Sequence, residues 1–322
     1  MRCLGCIACA ASLYGVSTAH AAPDYEILRI NTFDFRQNRQ IRLPNELYLP
    51  SGSHKVPGMV LVHGSGGVTD YRERRYARIL RQMGIAALVI DAFRARGIRR
   101  TINDQSRISS LQMTVDAFHA ADELGRRNRV IKTKIGIVGF SKGGTATLYS
   151  STRRYLRIAM KHLPSARPFA LHVAFYPWCG NFWRDTTMNG APVVVLIGGQ
   201  DTYSGVKPCL EWVRRHRLQG GNVRSIVYPT ARHAWDGLIS WRFPSGENHS
   251  RCIFEQRSDG SRRERTSGVQ FVNSNGVWDR KAYRLAISKC RRYGVSGGIH
   301  AASKSASMRD FRQLVRRFLL GR

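Results

Sequence analysis

A serine framed by glycines is the pattern in this chain that could do covalent chemistry. Ser141 lies in a Gly-x-Ser-x-Gly segment, residues 139–143, after the apolar run 135–138 and before a helical pattern over residues 145–160. A strand, a sharp turn and a helix around such a serine are typical of a nucleophile elbow, where the hydroxyl is exposed at the end of a sheet. A second match, residues 294–298, follows a charged run instead of an apolar strand. We therefore predict a loop there.

The acid that such a serine requires is predicted to be Asp201. A serine hydroxyl becomes a nucleophile when a base takes its proton, and the base needs an acid to orient it. The expected order along the chain is serine, acid, histidine. Asp201 follows the apolar run 193–197 through a Gly-Gly-Gln turn, whereas Asp185 lies in a polar loop. An aspartate that only caps a turn is the alternative interpretation of Asp201.

His233 is the predicted general base and later general acid. It follows the last predicted strand, residues 223–228, through a short turn, which places it at the end of a strand. A histidine with a structural role in that loop is the alternative. Three other histidines are expected on a helix surface or in polar loops: His216, His249 and His300.

Two backbone N–H groups are predicted to stabilise the oxyanion that forms when the serine attacks a carbonyl. The first belongs to Lys142, which follows the serine and begins the predicted helix. The second belongs to Ser65, in the glycine-rich turn 63–67 after another buried run. This turn lacks the Gly-x-x-x-x-Gly-Lys-Ser/Thr pattern of a phosphate-binding loop.

The order of apolar runs and helical patterns predicts the fold class. Buried runs alternate with helices from residue 56 to residue 228, which indicates an α/β fold with a mostly parallel central sheet and helices on both faces. In such sheets function gathers at the carboxyl ends of the strands. Residues 234–275 break the alternation and are predicted to be an insertion near the site or a surface loop. No linker defines a second domain, so we expect one domain over residues 23–322.

Five segments together resemble the dienelactone hydrolase family of α/β-hydrolases. They follow the family's order within residues 56–236: His63-Gly64-Ser65-Gly66-Gly67, Asp91-Ala92-Phe93 with Arg96-Gly97, Gly139-Phe140-Ser141-Lys142-Gly143-Gly144, Gly198-Gly199-Gln200-Asp201, and Tyr228-Pro229 with Arg232-His233-Ala234-Trp235-Asp236. The resemblance implies the α/β-hydrolase fold and a Ser/Cys-Asp-His hydrolase of esters or lactones. The enzymes that gave the family its name have a cysteine nucleophile. Ser141 therefore argues against dienelactone itself as the substrate.

Arg96 and the substrate class leave alternatives open. Arg96 could bind a carboxylate of the substrate, or it could pair with Asp91 and brace the loop. The favoured function is a serine esterase of the dienelactone hydrolase type, acting on a small-molecule ester or lactone without a cofactor. A prolyl-oligopeptidase-like peptidase on the same fold, or a non-catalytic polyanion-binding protein, are the competing hypotheses.

The first 22 residues are predicted to be a secretory signal, so the protein would be secreted or periplasmic. Arg2 precedes the apolar stretch 4–16, and Ala19-His20-Ala21 matches a cleavage site. A buried N-terminal helix is the alternative. Four cysteines would remain, and an even number in an exported protein indicates two disulfides with three possible pairings. We favour Cys179 with Cys209 and Cys252 with Cys290 over four reduced thiols.

A formal net charge of +31, mostly from arginine, is the unusual feature of the composition. The arginines are scattered, so the surface is predicted either to attract polyanions weakly or to reflect only a bias toward arginine. No motif of a nucleic-acid-binding module is present, and no apolar run is long enough for a transmembrane helix. The four later cysteines contain no Cys-x-x-Cys pair, so no metal site is predicted.

Overall fold

A computed structural model of the chain describes residues 24–322, so the predicted secretory signal lies outside the described residues. The strands are β1 (Glu26–Asp34), β2 (Arg39–Tyr48), β3 (Val56–Val62), β4 (Ala86–Ile90), β5 (Val130–Phe140), β6 (His172–Phe175), β7 (Asn181–Phe182), β8 (Val193–Gly198), β9 (Val223–Tyr228), β10 (Ser240–Asn248), β11 (Phe254–Gln256), β12 (Arg262–Glu264), β13 (Gln270–Val272) and β14 (Arg292–Gly298). The helices are α1 (Arg75–Gln82), α2 (Ser110–Gly125), α3 (Lys142–Ser150), α4 (Arg153–Met160), α5 (Val206–Leu218), α6 (Arg280–Cys290) and α7 (Ala301–Val315).

Eight strands form the central sheet, in the spatial order β1-β2-β4-β3-β5-β6-β8-β9. The six strands from β4 to β9 in this order pair in parallel, and β1 and β2 add an antiparallel edge. Strands β3, β4 and β8 are buried along their whole length, which fits their continuous apolar sequences. The predicted mostly parallel sheet is confirmed.

Helices cover both faces of this sheet, as predicted. Successive residues of a strand point to opposite faces, so each strand contributes to two cores. On one face, Val60 and Leu88 belong to a core that includes Phe118 of α2. On the other face, Leu61 belongs to a core that includes Phe311 of α7.

The segment between β9 and α7 is a folded insertion with its own small sheets. β10 pairs with β14, and β11, β12 and β13 join β7 in a four-stranded sheet. Phe254, Phe271 and Ala286 are buried in a separate small core. The insertion therefore extends to the end of β14, beyond the boundary near residue 275 that the sequence suggested.

The second Gly-x-Ser-x-Gly match lies in β14, so the loop predicted at residues 294–298 was wrong. β14 pairs antiparallel with β10, with Ser296 opposite Arg242. Gly294 and Gly298 have positive φ angles of 91° and 126°, which a residue with a Cβ adopts only with strain. These glycines permit an irregular strand instead of a turn into a helix.

Both predicted disulfides are present, Cys179–Cys209 and Cys252–Cys290. The first joins the loop after β6 to α5, and the second joins the loop after β10 to the end of α6. Within residues 24–322, no helix combines the length and apolar character needed to cross a membrane. The same residues contain no group of His, Cys, Asp and Glu that could hold a metal ion.

Candidate active site

Ser141 lies at the sharp turn between β5 and α3. Its backbone angles, φ 54° and ψ −114°, are strained for a residue with a side chain. Two glycines make the turn possible. A Cβ on Gly139 would lie 2.1 Å from the carbonyl oxygen of Gly143, and a Cβ on Gly143 would lie 2.1 Å from that of Val62. The local structure is the strand, turn and helix of a nucleophile elbow.

The structure brings together the three side chains predicted to act as nucleophile, base and acid. His233 Nε2 lies 2.9 Å from Ser141 Oγ, and His233 Nδ1 lies 2.7 Å from Asp201 Oδ2. Ser141 follows β5, Asp201 follows β8 and His233 follows β9. All three therefore meet at the carboxyl edge of one sheet. An imidazole placed in this way can take the hydroxyl proton at Nε2 while the carboxylate accepts the hydrogen at Nδ1.

Asp201 both caps a turn and contacts the histidine. It is buried, and its Oδ1 accepts hydrogen bonds from the backbone N–H groups of Tyr203 and Ser204, each at 2.9 Å. These bonds leave Oδ2 for the imidazole. Asp185, the other candidate, instead forms an ion pair with Arg157 at 2.7 Å.

Aromatic rings and strand β14 hold His233 in position. The ring centroids of Tyr176 and Tyr203 lie 4.9 and 4.6 Å from that of the imidazole. The backbone N–H of Gly298 donates to the carbonyl oxygen of His233 at 2.8 Å, and a Cβ on Gly297 would lie 2.3 Å from that oxygen. The second Gly-x-Ser-x-Gly segment therefore supports the histidine loop.

Ser65 and Lys142, the predicted sources of the two oxyanion donors, line the same cleft as Ser141. Lys142 is the first residue of α3, where backbone N–H groups have no acceptor within the helix. The turn that carries Ser65 touches the elbow, since a Cβ on Gly64 would lie 3.3 Å from the Cβ of Ser141. The Ser65 hydroxyl donates to the Gln105 side chain at 3.1 Å, which fixes this turn.

The side chain of Lys142 is a feature of the site that sequence reasoning missed. Its ammonium group donates to the backbone and side-chain oxygens of Gln105 at 2.8 and 3.0 Å. Burial lowers the pKa of Lys142 to about 7, while the charges of Glu247 and Asp104 act in the opposite direction. Glu247 belongs to the insertion and also accepts a hydrogen bond from the Gln105 N–H at 2.7 Å. No local pattern in the sequence indicates this contact between distant segments.

The structure contradicts both predicted roles of Arg96, as a ligand of a substrate carboxylate and as the partner of Asp91. Its side chain is buried, and its guanidinium pairs with Asp34 at 2.5 Å and with Asp116 at 2.8 Å. Two carboxylates of the protein therefore already neutralise it, and neither a substrate carboxylate nor Asp91 is its partner. Asp91 accepts hydrogen bonds from the backbone N–H groups that follow it.

His216 is buried on α5, so its predicted position on a helix surface was wrong. Its Nδ1 lies 2.8 Å from the carbonyl oxygen of Trp212, and its ring stacks on that indole with centroids 3.8 Å apart. Burial lowers the pKa of His216 to about 4. His300 caps α7, and His249 lines the cleft beside Ser141.

A cleft of about 710 Å³ opens beside Ser141. The central fold contributes one wall, which includes Leu111 and Thr145, and the insertion contributes the other, which includes Phe271 and Ile287. Aromatic side chains lie on both walls: Tyr149, Tyr155, Trp178, Trp183, Phe254 and Trp278. This volume and lining suit a small organic molecule.

Known proteins resemble the chain in sequence and in fold. Residues 44–237, more than half of the chain, match the dienelactone hydrolase family. No curated protein is significantly similar in sequence. Esterase 2 of Thermogutta terrifontis phosphorylated by paraoxon has 14% identity and a TM-score of 0.52, covering 69% of this chain and 88% of its own. A dienelactone hydrolase-like promiscuous phosphotriesterase from metagenomic libraries has 20% identity and a TM-score of 0.49, covering 66% and 85%. The esterase likeness shows the α/β-hydrolase fold.

Proposed function

The chain belongs to the dienelactone hydrolase family, and from this premise we propose that it is a serine hydrolase that cleaves a carboxylic ester or lactone through an acyl-enzyme intermediate. Ser141 is the proposed nucleophile, His233 the general base and acid, and Asp201 the group that orients the imidazole. The backbone N–H groups of Ser65 and Lys142 are the proposed oxyanion donors.

The acylation step uses the hydrogen bonds around His233. Ser141 Oγ attacks the carbonyl carbon while His233 Nε2 takes the hydroxyl proton, and Asp201 stabilises the imidazolium that forms. The negative charge that develops on the carbonyl oxygen is stabilised by the two N–H groups. The intermediate then collapses as the bond to the alcohol oxygen breaks and His233 returns the proton to that oxygen.

The deacylation step repeats the proton transfers and the nucleophilic attack, with water as the nucleophile. His233 takes a proton from a water molecule, the resulting hydroxide attacks the acyl carbon, and the bond to Ser141 Oγ breaks as Oγ regains a proton. The acid leaves and the free enzyme is restored. For a lactone, the alcohol and the acid leave as one molecule.

One observation carries this proposal: a serine on a strained elbow, 2.9 Å from an imidazole that is itself 2.7 Å from a buried carboxylate. Strain at Ser141 and burial of Asp201 both cost stability, and such costs gather at functional sites. A serine that served only as a turn residue would require neither partner.

The test is chemical trapping combined with turnover. We expect the protein to hydrolyse p-nitrophenyl acetate and butyrate, and we expect a fluorophosphonate to modify Ser141 with one adduct per chain, located by peptide mass spectrometry. An adduct on another serine with loss of activity would contradict the assignment. Chromogenic peptide amides should be poor substrates; efficient cleavage of them would favour the peptidase hypothesis.

Export from the cytoplasm is part of the same proposal. The two disulfides within residues 24–322 support an oxidising compartment. In an expression host with a secretory pathway, we expect the mature protein to begin at residue 22 or 23 when its N-terminus is sequenced. Recovery of the full-length chain from the cytoplasm, with all seven cysteines as free thiols, would contradict it.

A further inference from the structure

The cleft beside Ser141 carries more positive than negative side chains. Four arginines line it, Arg154, Arg262, Arg284 and Arg291, together with Lys142, whose pKa burial lowers to about 7. The acidic residues of the lining, Asp104 and Glu247, already have partners. Glu247 pairs with Arg291, and Asp104 accepts hydrogen bonds from the N–H and hydroxyl of Ser106. Positive charge in the cleft therefore exceeds what the lining carboxylates can balance.

Arg154 and Arg262 differ from the other basic residues of the lining because they share one aromatic ring, and neither has a carboxylate partner among residues 24–322. Their guanidinium carbons lie 5.7 and 5.1 Å from the centre of the Trp183 ring. The next residue, Arg263, pairs with Glu255, whereas the Nε of Arg262 is buried without a hydrogen-bond partner in the described part of the chain. Burial and the charge of Arg154 both lower the pKa of Arg262.

This juxtaposition is costly for the protein alone. Two like charges on one ring repel each other, and a buried guanidinium N–H without an acceptor loses the hydrogen bonds that water would provide. An incoming carboxylate would offset the repulsion between the two charges, because guanidinium groups bind carboxylates through parallel N–H···O bonds. The pair is therefore suited to an anionic group on a ligand.

The cleft around these arginines is suited to a flat ring. Tyr149 and Tyr155 stack in parallel with centroids 4.2 Å apart, and Trp278 and Tyr283 of the insertion lie 4.7 Å apart. Trp183 is oriented by a hydrogen bond from its Nε1 to the hydroxyl of Tyr155 at 2.8 Å. Aromatic side chains on both walls favour a ligand body with π faces over an aliphatic chain.

We propose that Arg154 and Arg262 form a subsite for a carboxylate on an aromatic ester or lactone, at the end of the substrate away from the bond that Ser141 attacks. This inference rests on the proposed esterase function and specifies its substrate class. Arg262 lies in the insertion, outside the residues that match the family, so the subsite is a property of this chain.

Matched esters test the subsite directly. One series carries p-nitrophenol as leaving group and differs only at the para position of a benzoyl or biphenylcarbonyl group: carboxylate, methyl or trimethylammonium. A second series carries the same substituents on the phenol of an aryl butyrate. We expect kcat/KM for the carboxylate member of at least one series to exceed that of its methyl match by about 10- to 100-fold, mainly through KM, as for hydrogen bonds to a charged group.

Arginine variants locate the preference. Arg262→Gln and Arg154→Gln should each lower the ratio of carboxylate to methyl kcat/KM by about 10-fold or more, and Arg262→Lys should restore part of it because the charge remains. The matched control is Arg257→Gln, an exposed arginine at the β11–β12 turn of the same hairpin. That variant should keep the wild-type ratio.

A binding measurement separates this inference from the proposed function. With Ser141→Ala protein, calorimetry should detect benzene-1,4-dicarboxylate binding that Arg262→Gln weakens, and benzene-1,4-dicarboxamide, which has the same shape but no carboxylate, should bind much more weakly. Hydrolysis that depends on Ser141 without any preference for carboxylates would overturn the subsite and leave the esterase proposal standing. Dicarboxylate binding that depends on Arg262 without any ester hydrolysis would overturn the esterase proposal and keep the subsite. Equal binding of both probes would also overturn the subsite.

Discussion

Residues 139–143 and residues 294–298 share the pattern Gly-x-Ser-x-Gly but fold differently. The first segment is the turn between a buried parallel strand and a helix, with Ser141 at φ 54°. The second lies in β14, where Ser296 faces Arg242 across an antiparallel pair. The comparison teaches that the preceding residues decide the outcome: a buried apolar run makes an elbow, and a charged run does not.

The glycines of the two segments also do different work. Gly139 and Gly143 permit close backbone contact, since a Cβ on either would lie 2.1 Å from a carbonyl oxygen. Gly294 has room for a Cβ, with its nearest contact at 3.8 Å, but its φ of 91° is unfavourable for other residues. The first glycine therefore meets a steric need at Gly139 and a conformational need at Gly294, whereas Gly298 meets both, since a Cβ on it would lie 2.3 Å from the Cα of Ser240.

Removing each serine should give the largest difference between the two segments. We expect Ser141→Ala to lower kcat for p-nitrophenyl butyrate by on the order of 10⁴-fold or more, because the nucleophile is lost. Ser296→Ala is the matched control and should change kcat by less than about twofold, as for a substitution away from the reacting atoms. Comparable losses in both variants would contradict the assignment of the first segment alone as the elbow.

The first glycine of each segment provides the second comparison. Gly139→Ala forces a Cβ against backbone and should lower the free energy of unfolding by more than about 3 kcal/mol. Gly294→Ala only places a Cβ on a residue with an unfavourable φ, and it should lower the free energy of unfolding by about 1–2 kcal/mol. Urea unfolding of both variants gives the two values. A smaller effect at Gly139 than at Gly294 would mean that the elbow relaxes more easily than its contacts indicate.

Removing the disulfide of the insertion should affect substrate binding, to which the insertion contributes, more than the chemical step at the elbow. The double variant Cys252→Ser with Cys290→Ser should lose about 2–4 kcal/mol of stability. It should also raise KM more than it lowers kcat, because the insertion forms a wall of the cleft while the elbow belongs to the central sheet. Steady-state kinetics and urea unfolding measure both effects. A fall in kcat with unchanged KM would show that the insertion acts mainly on the reacting groups.

The smallest expected effect concerns the residue after the serine. This residue is Lys142 in the first segment and Gly297 in the second, and only Lys142 can make the free energy of unfolding depend on pH. Burial lowers the pKa of Lys142 to about 7 from 10.5, so between these pH values the unfolded chain binds more protons than the folded one. The free energy of unfolding should therefore rise with pH there, by up to about 1.4 kcal/mol per pH unit. Lys142→Met should lack this contribution. The difference between wild type and variant at pH 8 and pH 9.5 measures it, and equal slopes would contradict a lowered pKa.

The elbow, the sheet and the disulfide pairs could be predicted because each depends on local pattern and chain order. Apolar runs predict the parallel strands, and strand ends in one sheet meet at one edge, which is why Ser141, Asp201 and His233 could be nominated together. The environment of Arg96 could not be predicted. Its partners Asp34 and Asp116 lie 62 and 20 residues away, and ion pairs between distant segments leave no period in a sequence.

An insertion after residue 234 could be predicted from the break in alternation, but its internal structure could not. Strands β11, β12 and β13 have three residues each, too few to show alternation between apolar and polar positions. A disulfide and a small aromatic core stabilise this region in place of long regular elements. The hydrogen bond between Gln105 and Glu247, and the Trp183 ring shared by Arg154 and Arg262, both depend on this segment and could not be predicted for the same reason.

The hydrogen bond from Gly298 to the carbonyl oxygen of His233 links the outer wall of the cleft to the imidazole loop. If the insertion were replaced during evolution to accept a different substrate, the loop that carries His233 would also need a new hydrogen-bond donor. Substrate selectivity and turnover therefore depend on the same segment. If the insertion is transferred into a related protein, β14 should be transferred with it.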